Sequence, residues 1–118
     1  MSFKILLVDD DILLRELIGE FLFSGGYEVD VAENGNKAIK LFEPGKYGLA
    51  LLDQDIKQIS GVKLMKQLRK LDKNLFCLIM TGYSSLDKVS AAIEEGNSDL
   101  IIKPFAMPEL LNILQKYV

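Results

Sequence analysis

The chain contains no histidine among its 118 residues, and its single cysteine is Cys77. Without histidine, the usual general base and the commonest transition-metal ligand are both excluded. A lone cysteine excludes an internal disulfide, which fits a reducing compartment. No long apolar run precedes the first acidic residues or approaches membrane-spanning length, so we expect no signal peptide, no membrane contact and a cytoplasmic location. Any chemistry must therefore depend on carboxylates, hydroxyls, lysines or a hard metal ion.

Positive charge is also scarce for a nucleic-acid binder. The 14 lysine and arginine residues are outnumbered by 17 aspartate and glutamate residues, which gives a net charge of −3. A phosphate backbone requires a basic footprint, so we expect no nucleic-acid partner for this domain. Hydrophobic residues make up 49% of the chain and charged residues 26%, which excludes a disordered polymer. The length predicts one domain over residues 1–118.

Short apolar runs alternate with segments of helical period along the whole chain. The runs occupy residues 5–8, 29–32, 49–52, 76–80 and 100–103. Most are apolar on both faces, as expected of parallel strands covered on both sides, whereas VDVA at 29–32 alternates and suggests an edge strand. Helices are predicted over 12–23 and 36–43, from the N-cap Ser60, from Ser84 or Ser85 to Gly96, and after Pro108. Five such units predict an α/β fold with an open, doubly wound parallel sheet.

Polar residues stand where four of the predicted strands end. They are Asp9, Asp10 and Asp11 after the first run, Asp53 after the third, Thr81 after the fourth and Lys103 at the end of the fifth. In doubly wound sheets, ligands bind beyond the carboxyl ends of the strands, near the point where the strand order reverses. In the order 2-1-3-4-5 these four strands are neighbours, and the polar residues would converge on one site.

Carboxylates without histidine or cysteine favour a hard, oxygen-loving cation. Mg²⁺ fits best, because it takes few carboxylates and shares phosphate oxygens, and Mn²⁺ could substitute. Such an ion would offset the cost of placing Asp9 and Asp10 together. Lys103 adds a fixed positive charge and Thr81 a hydroxyl donor. The site thus offers a carboxylate nucleophile and three stabilisers of a transferring phosphoryl group: metal, ammonium and hydroxyl.

Several short motifs occur in a fixed order along the chain. They are GYEVDVAENG at 26–35, VDDD at 8–11, Asp53 followed by Gly61 in a D-x₇-G spacing, MTGY at 80–83, GNSD at 96–99 and KPF at 103–105. Each motif alone is weak, but together they make the whole chain resemble a response-regulator receiver domain of two-component signalling. The resemblance implies a flavodoxin-like fold with a five-stranded parallel sheet in the order 2-1-3-4-5 and five helices.

The resemblance also implies a phosphoacceptor and a metal site. Asp53 would accept a phosphoryl group from a phosphohistidine on a sensor histidine kinase or a histidine phosphotransfer domain. Asp10 would bind Mg²⁺ directly and Asp9 mainly through water, while Asp53 and the backbone carbonyl of Asp55 would complete the protein ligands. The domain would catalyse its own phosphotransfer and dephosphorylation and would not be a turnover enzyme.

Further roles follow from the same resemblance. Thr81 would bond a phosphoryl oxygen and Lys103 another, and the Lys103–Pro104 peptide would be cis. Phosphorylation would switch the surface of helix 4, strand 5 and helix 5, about residues 84–118, toward a downstream protein. The domain would be a monomer or a weak dimer that depends on phosphorylation.

The chain departs from the receiver pattern at several positions. Gln54 replaces the apolar residue that usually follows the phosphoacceptor, and Ile56 and Lys57 replace a Met-Pro pair, which adds a cation near the phosphoryl site. Leu100 replaces the tyrosine or phenylalanine that usually rotates inward on activation, so the switch between Thr81 and that ring would be absent or altered.

Two residues beside the site are expected to set the lifetime of the phosphoryl group. Tyr83 and Asp55 each lie two positions beyond a site residue. Tyr83 would partly shield Asp53 from water, while Asp55 would orient or repel water.

Some alternatives stay open from the sequence. Asp11 could serve only as an N-cap of the first helix. Ile12 and Leu13 either widen the core face of that helix or form a docking patch for the phosphodonor. At the level of function, the alternatives are an interaction module that works without phosphorylation and a Mg²⁺-dependent phosphatase with an aspartyl-phosphate intermediate.

Overall fold

Strands and helices alternate along the chain in the computed structural model, which describes residues 4–117. The strands are β1 (Lys4–Val8), β2 (Glu28–Ala32), β3 (Leu49–Asp53), β4 (Phe76–Thr81) and β5 (Ser98–Ile102). The helices are α1 (Ile12–Ser24), α2 (Gly35–Leu41), α3 (Gly61–Leu71), α4 (Leu86–Ile93) and α5 (Met107–Tyr117), and a 3₁₀ turn (Tyr83–Ser85) precedes α4. Within these residues, every helix is too short or too polar to span a bilayer.

The five strands form one sheet in the order β2-β1-β3-β4-β5, and every neighbouring pair is parallel. This confirms the doubly wound fold and the strand order predicted from the sequence, with β2 at an edge. Val8 of β1 is level with Leu52 of β3, and Thr81 of β4 is level with Ile102 of β5. The residues that follow these strands therefore emerge at the same, carboxyl-terminal end of the sheet, on both sides of the switch point between β1 and β3.

Alternate side chains of the central strands enter two separate cores. One core packs Leu6, Ala50 and Cys77 against α2, α3 and α4, and the other packs Leu7, Leu51 and Leu78 against α1 and α5. Both faces of the sheet are thus covered by helices, which explains why these strands read as unbroken apolar runs. Cys77 is fully buried, and burial raises the pKa of its thiol to about 12, so it is a core residue.

The last strand differs from its prediction at both ends. It begins at Ser98 and ends at Ile102, so Lys103 lies just beyond the strand. The guanidinium of Arg69 binds the Asn97 carbonyl and donates a 2.8 Å hydrogen bond to the Ser98 hydroxyl, which fixes the polar start of β5. Such a long-range contact leaves no signal in the local pattern.

The fourth helix is shorter than predicted. It ends at Ile93 and does not reach Gly96, because Gly96 and Asn97 adopt positive φ angles of 98° and 51°. Ser85 precedes it as the N-cap residue but makes no side-chain capping bond. By contrast, the predicted N-cap Ser60 accepts a 3.2 Å hydrogen bond from the Lys63 amide.

The sequence period predicts a core stripe of Leu14, Leu17, Ile18 and Phe21 in the first helix, which is only partly right. Ile18 is fully buried, but Leu17 is 55% exposed, and Leu22 is buried in the core. In α3 the same period predicts Leu71 in the core, but Leu71 is 49% exposed. Both helices carry more leucines than their core faces use, and period alone does not say which of them face the sheet.

Candidate functional site

Three aspartates meet beyond the carboxyl ends of β1 and β3. One carboxylate oxygen from each of Asp9, Asp10 and Asp53 lies within 4.8 Å of the others. Asp9 is fully buried and Asp53 is 4% exposed, whereas Asp10 is exposed to solvent. β1 and β3 are adjacent and in register, so the first residues after Val8 necessarily lie beside the end of β3. The site therefore combines two buried carboxylates with one that faces water.

Lys103 approaches this cluster from the far side of β4. Its Nζ lies 3.0 Å from Asp53 Oδ1 and 3.5 Å from Asp9 Oδ2. Its backbone amide donates a 2.8 Å hydrogen bond to the Thr81 carbonyl, which anchors the start of the segment after β5. The Lys103–Pro104 peptide is cis. One ammonium group is thus shared between two buried carboxylates.

The Asp9 carboxylate is fully buried, and only one of its two oxygens is hydrogen-bonded. Its Oδ1 accepts a 2.9 Å hydrogen bond from the Asp11 amide, but its buried Oδ2 has no hydrogen-bond partner within residues 4–117. Burial raises the pKa of Asp9, and the charge of Asp53 raises it further, against the lowering effects of the Asp11 amide and Lys103. A buried oxygen that has no hydrogen bond and only a 3.5 Å contact with the Lys103 ammonium, beside two more carboxylates, fits a hard divalent cation, because such an ion would satisfy the oxygen and offset the repulsion.

Thr81 and Asp55 lie on either side of Asp53. Thr81 is fully buried, and its hydroxyl donates a 3.0 Å hydrogen bond to the Gly82 carbonyl. The Asp55 amide donates a 3.3 Å hydrogen bond to Asp53 Oδ1, while the Asp55 side chain is exposed. Tyr83 is 75% exposed, and Leu100 packs half-buried against the core below. The structure thus groups Asp53 with the acids and Lys103 and leaves the Tyr83 ring at the surface.

The loop after β3 compensates for the missing Met-Pro pair. Ile56 is 7% exposed and joins the core, which anchors the loop by burial. Lys57 keeps an exposed side chain, and its backbone amide donates a 3.3 Å hydrogen bond to Asp10 Oδ2. The loop residue Gln58 has a positive φ of 74°. The loop therefore contacts the exposed acid of the cluster through its backbone.

The close approach of α3 to the backbone of Asp53 requires a glycine at position 61. A Cβ atom at Gly61 would lie 2.6 Å from the backbone carbonyl oxygen of Asp53, closer than real Cβ contacts. The first turn of α3 therefore packs directly on the backbone that carries Asp53. The sequence shows the glycine, but only the structure shows this contact.

Two supporting residues were missed by sequence reasoning. Gln54 is 7% exposed, and its side-chain oxygen accepts a 2.9 Å hydrogen bond from the Val62 amide. Because that amide lies in the first turn of α3, Gln54 supplies a second cap beside Ser60. Arg15 of α1 donates a 2.9 Å hydrogen bond to the Asp9 carbonyl. The polar Gln54 after an apolar strand was a usable signal, whereas nothing in the pattern indicates Arg15.

The start of α1 carries a capping acid, Asp11, followed directly by exposed apolar side chains. Asp11 accepts hydrogen bonds from the amides of Leu13 and Leu14 at 3.0 and 3.2 Å and is the N-cap, as predicted. Ile12 is 57% exposed and Leu13 76%, so the idea that they widen the core face is wrong. Between α1 and the segment after β5 lies a hollow of about 410 Å³, lined by Leu14, Leu17, Lys103, Pro104, Phe105 and Met107.

Comparison with known proteins agrees with this geometry. A family model described as the response regulator receiver domain matches residues 5–115. Sporulation initiation phosphotransferase F of Bacillus subtilis is 33% identical over 118 residues, which cover 100% of this chain and 95% of that protein. Response regulator MprA of Mycolicibacterium vanbaalenii is 33% identical over 111 residues, covering 94% of this chain but 48% of MprA, so the chain spans about half of that relative. The structure of chemotaxis protein CheY4 of Vibrio cholerae superposes with a TM-score of 0.89 at 27% identity and covers 100% of both chains.

Proposed function

The chain belongs to the response regulator receiver domain family, and on that premise we propose that Asp53 is its phosphoacceptor. The observation that carries this proposal is the setting of the Asp53 carboxylate. It is nearly buried, it lies 3.0 Å from an ammonium group, and two other carboxylates lie beside it. A nucleophilic oxygen with fixed positive charge on one side and a cation-binding cluster on the other suits phosphoryl transfer.

The proposed step is an in-line displacement on phosphorus. An Asp53 carboxylate oxygen forms the new P–O bond while the P–N bond of the partner's phosphohistidine breaks. The electron pair of that bond stays on the imidazole nitrogen, and the product is an acyl phosphate on Asp53. The Lys103 ammonium stabilises charge on one phosphoryl oxygen. The Thr81 hydroxyl, which donates to the Gly82 carbonyl in this structure, would turn to donate to another.

The metal ligands of this proposal are Asp9, Asp10, Asp53 and the backbone carbonyl of Asp55. All are hard oxygen donors, and three of their carboxylate oxygens already lie within 4.8 Å of one another. Mg²⁺ is the proposed ion and Mn²⁺ its substitute. When bound, it supplies positive charge to the carboxylates and to the oxygens of the transferring group. The ion would also satisfy the buried Oδ2 of Asp9, which has no hydrogen-bond partner within residues 4–117.

The proposed phosphodonor is a sensor histidine kinase or a histidine phosphotransfer domain. Receiver domains pair with histidine kinases, and this chain has no histidine to serve as its own donor. Ile12, Leu13 and Leu17 form an exposed apolar patch at the start of α1, next to Lys103 and the hollow beside it. A partner that delivers its imidazole to Asp53 would cover this patch.

The output surface of the proposal is formed by α4, β5 and α5. Phosphorylation would bias a two-state equilibrium and change the affinity of this surface for a downstream protein. Leu100 of β5 cannot supply the hydrogen bond or the swing of an aromatic ring. Signalling through this chain would therefore depend more on Thr81 and the segments around it.

The lifetime of the acyl phosphate is expected to depend on Tyr83. Its exposed ring follows Thr81 by two residues and can lie across the path of water toward Asp53. Tyr83→Ala should shorten the half-life of the phosphorylated protein, measured by the loss of the adduct mass with time. A half-life that stays the same or lengthens would exclude shielding.

Phosphorylation by a small donor tests the proposal directly. The protein is incubated with Mg²⁺ and acetyl phosphate, and the products are read by intact mass; beryllofluoride binding is followed by NMR. Wild type should gain one phosphoryl group, Asp53→Asn should gain none, and the matched control Asp55→Asn should still be modified. Absence of an adduct on wild type would favour an interaction module that works without phosphorylation. Turnover of many equivalents of diverse phosphomonoesters would favour a phosphatase.

A further inference from the structure

A basic groove runs beside the acidic site, on the face of the sheet covered by α3 and α4. It encloses about 760 Å³ between the loop after β3, the exposed side of α3 and the start of α4. Four lysines line it: Lys57, Lys63, Lys66 and Lys88. Asp55, at the end nearest the site, is the one acidic residue in the lining. This concentration of positive charge is unexpected in a chain whose net charge is −3.

The ammonium groups of the groove lysines form no ion pair with the described part of the chain. Within residues 4–117, ion pairs of 4.0 Å or less are made by Lys4, Lys37, Lys46 and Lys103, and none by the four groove lysines. Their ammonium groups therefore stay unneutralised along one wall of the molecule. Unpaired charges of one sign, gathered in a concave surface, raise the local concentration of ligands of the opposite sign.

The floor of the groove restricts the kind of anion that fits. Ile59 and Val62 are half-buried there and offer apolar surface between the lysines. No aromatic ring lines the groove within the described residues, so a nucleotide base or an unpaired RNA base would find no stacking partner. A polypeptide that alternates carboxylates with apolar side chains matches both the charged rim and the apolar floor.

We propose that this groove binds an acidic, amphipathic segment of a partner protein. The groove is separate from the α1 patch, which lies on the opposite face of the sheet, and the inference does not depend on phosphorylation of Asp53. The two sites nevertheless share the loop after β3, since the Lys57 amide donates to Asp10 at 3.3 Å. A segment seated on this loop would contact the same backbone that borders the acidic cluster.

Titration of the ¹⁵N-labelled full chain with a defined peptide tests this inference. The probe is a short peptide of alternating glutamate and leucine pairs, and a peptide with lysine in place of glutamate is its control. The acidic peptide should shift the amide signals of Lys57, Val62, Lys63 and Lys88 with a Kd below about 1 mM. Binding should weaken several-fold from low to physiological ionic strength, because exposed charges are screened over about 8–10 Å. Absence of binding, or shifts centred on α1, would overturn the proposal.

Charge reversal on α3 provides the matched comparison. Lys63→Glu with Lys66→Glu should weaken peptide binding at least about tenfold. Lys70→Glu with Lys73→Glu changes the net charge equally from exposed positions outside the groove and should leave binding within about twofold. Equal losses in the two double variants would show a diffuse charge effect and overturn the proposal. Tighter binding of inorganic polyphosphate or oligouridylate than of the peptide, at the same amides, would also overturn it.

Discussion

Acidic side chains in two regions of the sheet have opposite surroundings. Near the amino ends of β1 and β3, Asp30 of β2 accepts a 2.6 Å hydrogen bond from the Tyr47 hydroxyl and pairs with Lys4 and Lys46. Burial alone would raise the pKa of Asp30, but the Tyr47 hydrogen bond and the two lysines together lower it. At the carboxyl ends, Asp9 and Asp53 share Lys103 alone, and the pKa of Asp9 is raised, chiefly by burial.

Under the proposed function, this difference separates an acid that stabilises the fold, Asp30, from acids that bind a ligand, Asp9 and Asp53. Three donors surround Asp30 Oδ2, the Tyr47 hydroxyl and the ammonium groups of Lys4 and Lys46, so the charge of Asp30 is favourable in the folded chain. Asp9 is more deeply buried, yet its Oδ2 has no hydrogen bond and only a 3.5 Å contact with Lys103, which costs free energy in the folded chain. The metal ion proposed for this site would offset that cost.

Replacement of Asp9 should give the largest effect and tests the comparison most directly. In Asp9→Asn the affinity for Mg²⁺ should fall about 100-fold, because a ligand charge is lost from the cluster. Without Mg²⁺ the same variant should be more stable by about 1 kcal/mol at pH 7, because the cost of burying a charge disappears. Mg²⁺ titration monitored by NMR and urea unfolding measure the two effects. A destabilised variant with unchanged Mg²⁺ affinity would show that Asp9, like Asp30, stabilises the fold and does not bind the ion.

Backbone packing at the carboxyl ends gives the next largest effect. Gly61→Ala puts a Cβ against the Asp53 carbonyl and should lower the free energy of unfolding by about 2 kcal/mol. It should also slow phosphorylation by acetyl phosphate, since the backbone of the acceptor must move. Gly19→Ala is the control: no atom lies within 4 Å of its added Cβ, and an alanine inside α1 should raise stability by up to about 1 kcal/mol. If both variants behaved alike, the close approach of Gly61 would be unimportant.

The sequence predicts the functional side chains of the site better than the residues that hold them in position. Asp9, Asp53 and Lys103 could be placed together because parallel strands in a known order bring their carboxyl ends to one edge. The apolar runs predict the strands of the sheet, because helices bury both faces of the sheet and both faces of each central strand are therefore apolar. Gln54 stands out as a polar residue after an apolar strand, but its specific role as a second cap of α3 depends on where that helix begins relative to β3.

Most of the structural features that the sequence does not predict are polar contacts between residues far apart along the chain. Arg69 reaches from the end of α3 to the start of β5, 29 positions along the chain, and no local period records that distance. The hydrogen bond from Arg15 to the Asp9 carbonyl likewise has no signal in the local sequence pattern. The exposed Leu17 and Leu71 were missed for a different reason, because an apolar stripe predicts a helix face but not its rotation toward the sheet.

Asp30 should show a smaller effect with the opposite sign to that of Asp9. Asp30→Asn should lower the free energy of unfolding by about 1 kcal/mol at pH 7, through the loss of a charged acceptor for Tyr47 and the lysines. The pKa of Asp30 is lowered in the folded chain, so its contribution is complete above the unfolded value of 3.8 and disappears as pH falls through the lower folded value. Urea unfolding should therefore give a constant gap between wild type and variant above about pH 5, closing toward about pH 2. A gap that widened in acid would contradict the assignment of Asp30 as a stabilising charge.

Asp11 should show the smallest effect, although it stands beside Asp9 and Asp10 in the sequence. Its side chain caps α1 and faces solvent, and only its backbone amide touches the cluster, through Asp9 Oδ1. Asp11→Ser keeps a capping oxygen and the amide, so stability should stay within about 0.5 kcal/mol of wild type, whereas Asp11→Ala should cost about 1 kcal/mol. Mg²⁺ affinity should change less than about twofold in both variants, since an exposed charge outside the ligand set is screened by solvent. A large loss of Mg²⁺ affinity in Asp11→Ser would contradict the assignment of Asp11 as a purely structural acid next to the proposed ligands Asp9 and Asp10.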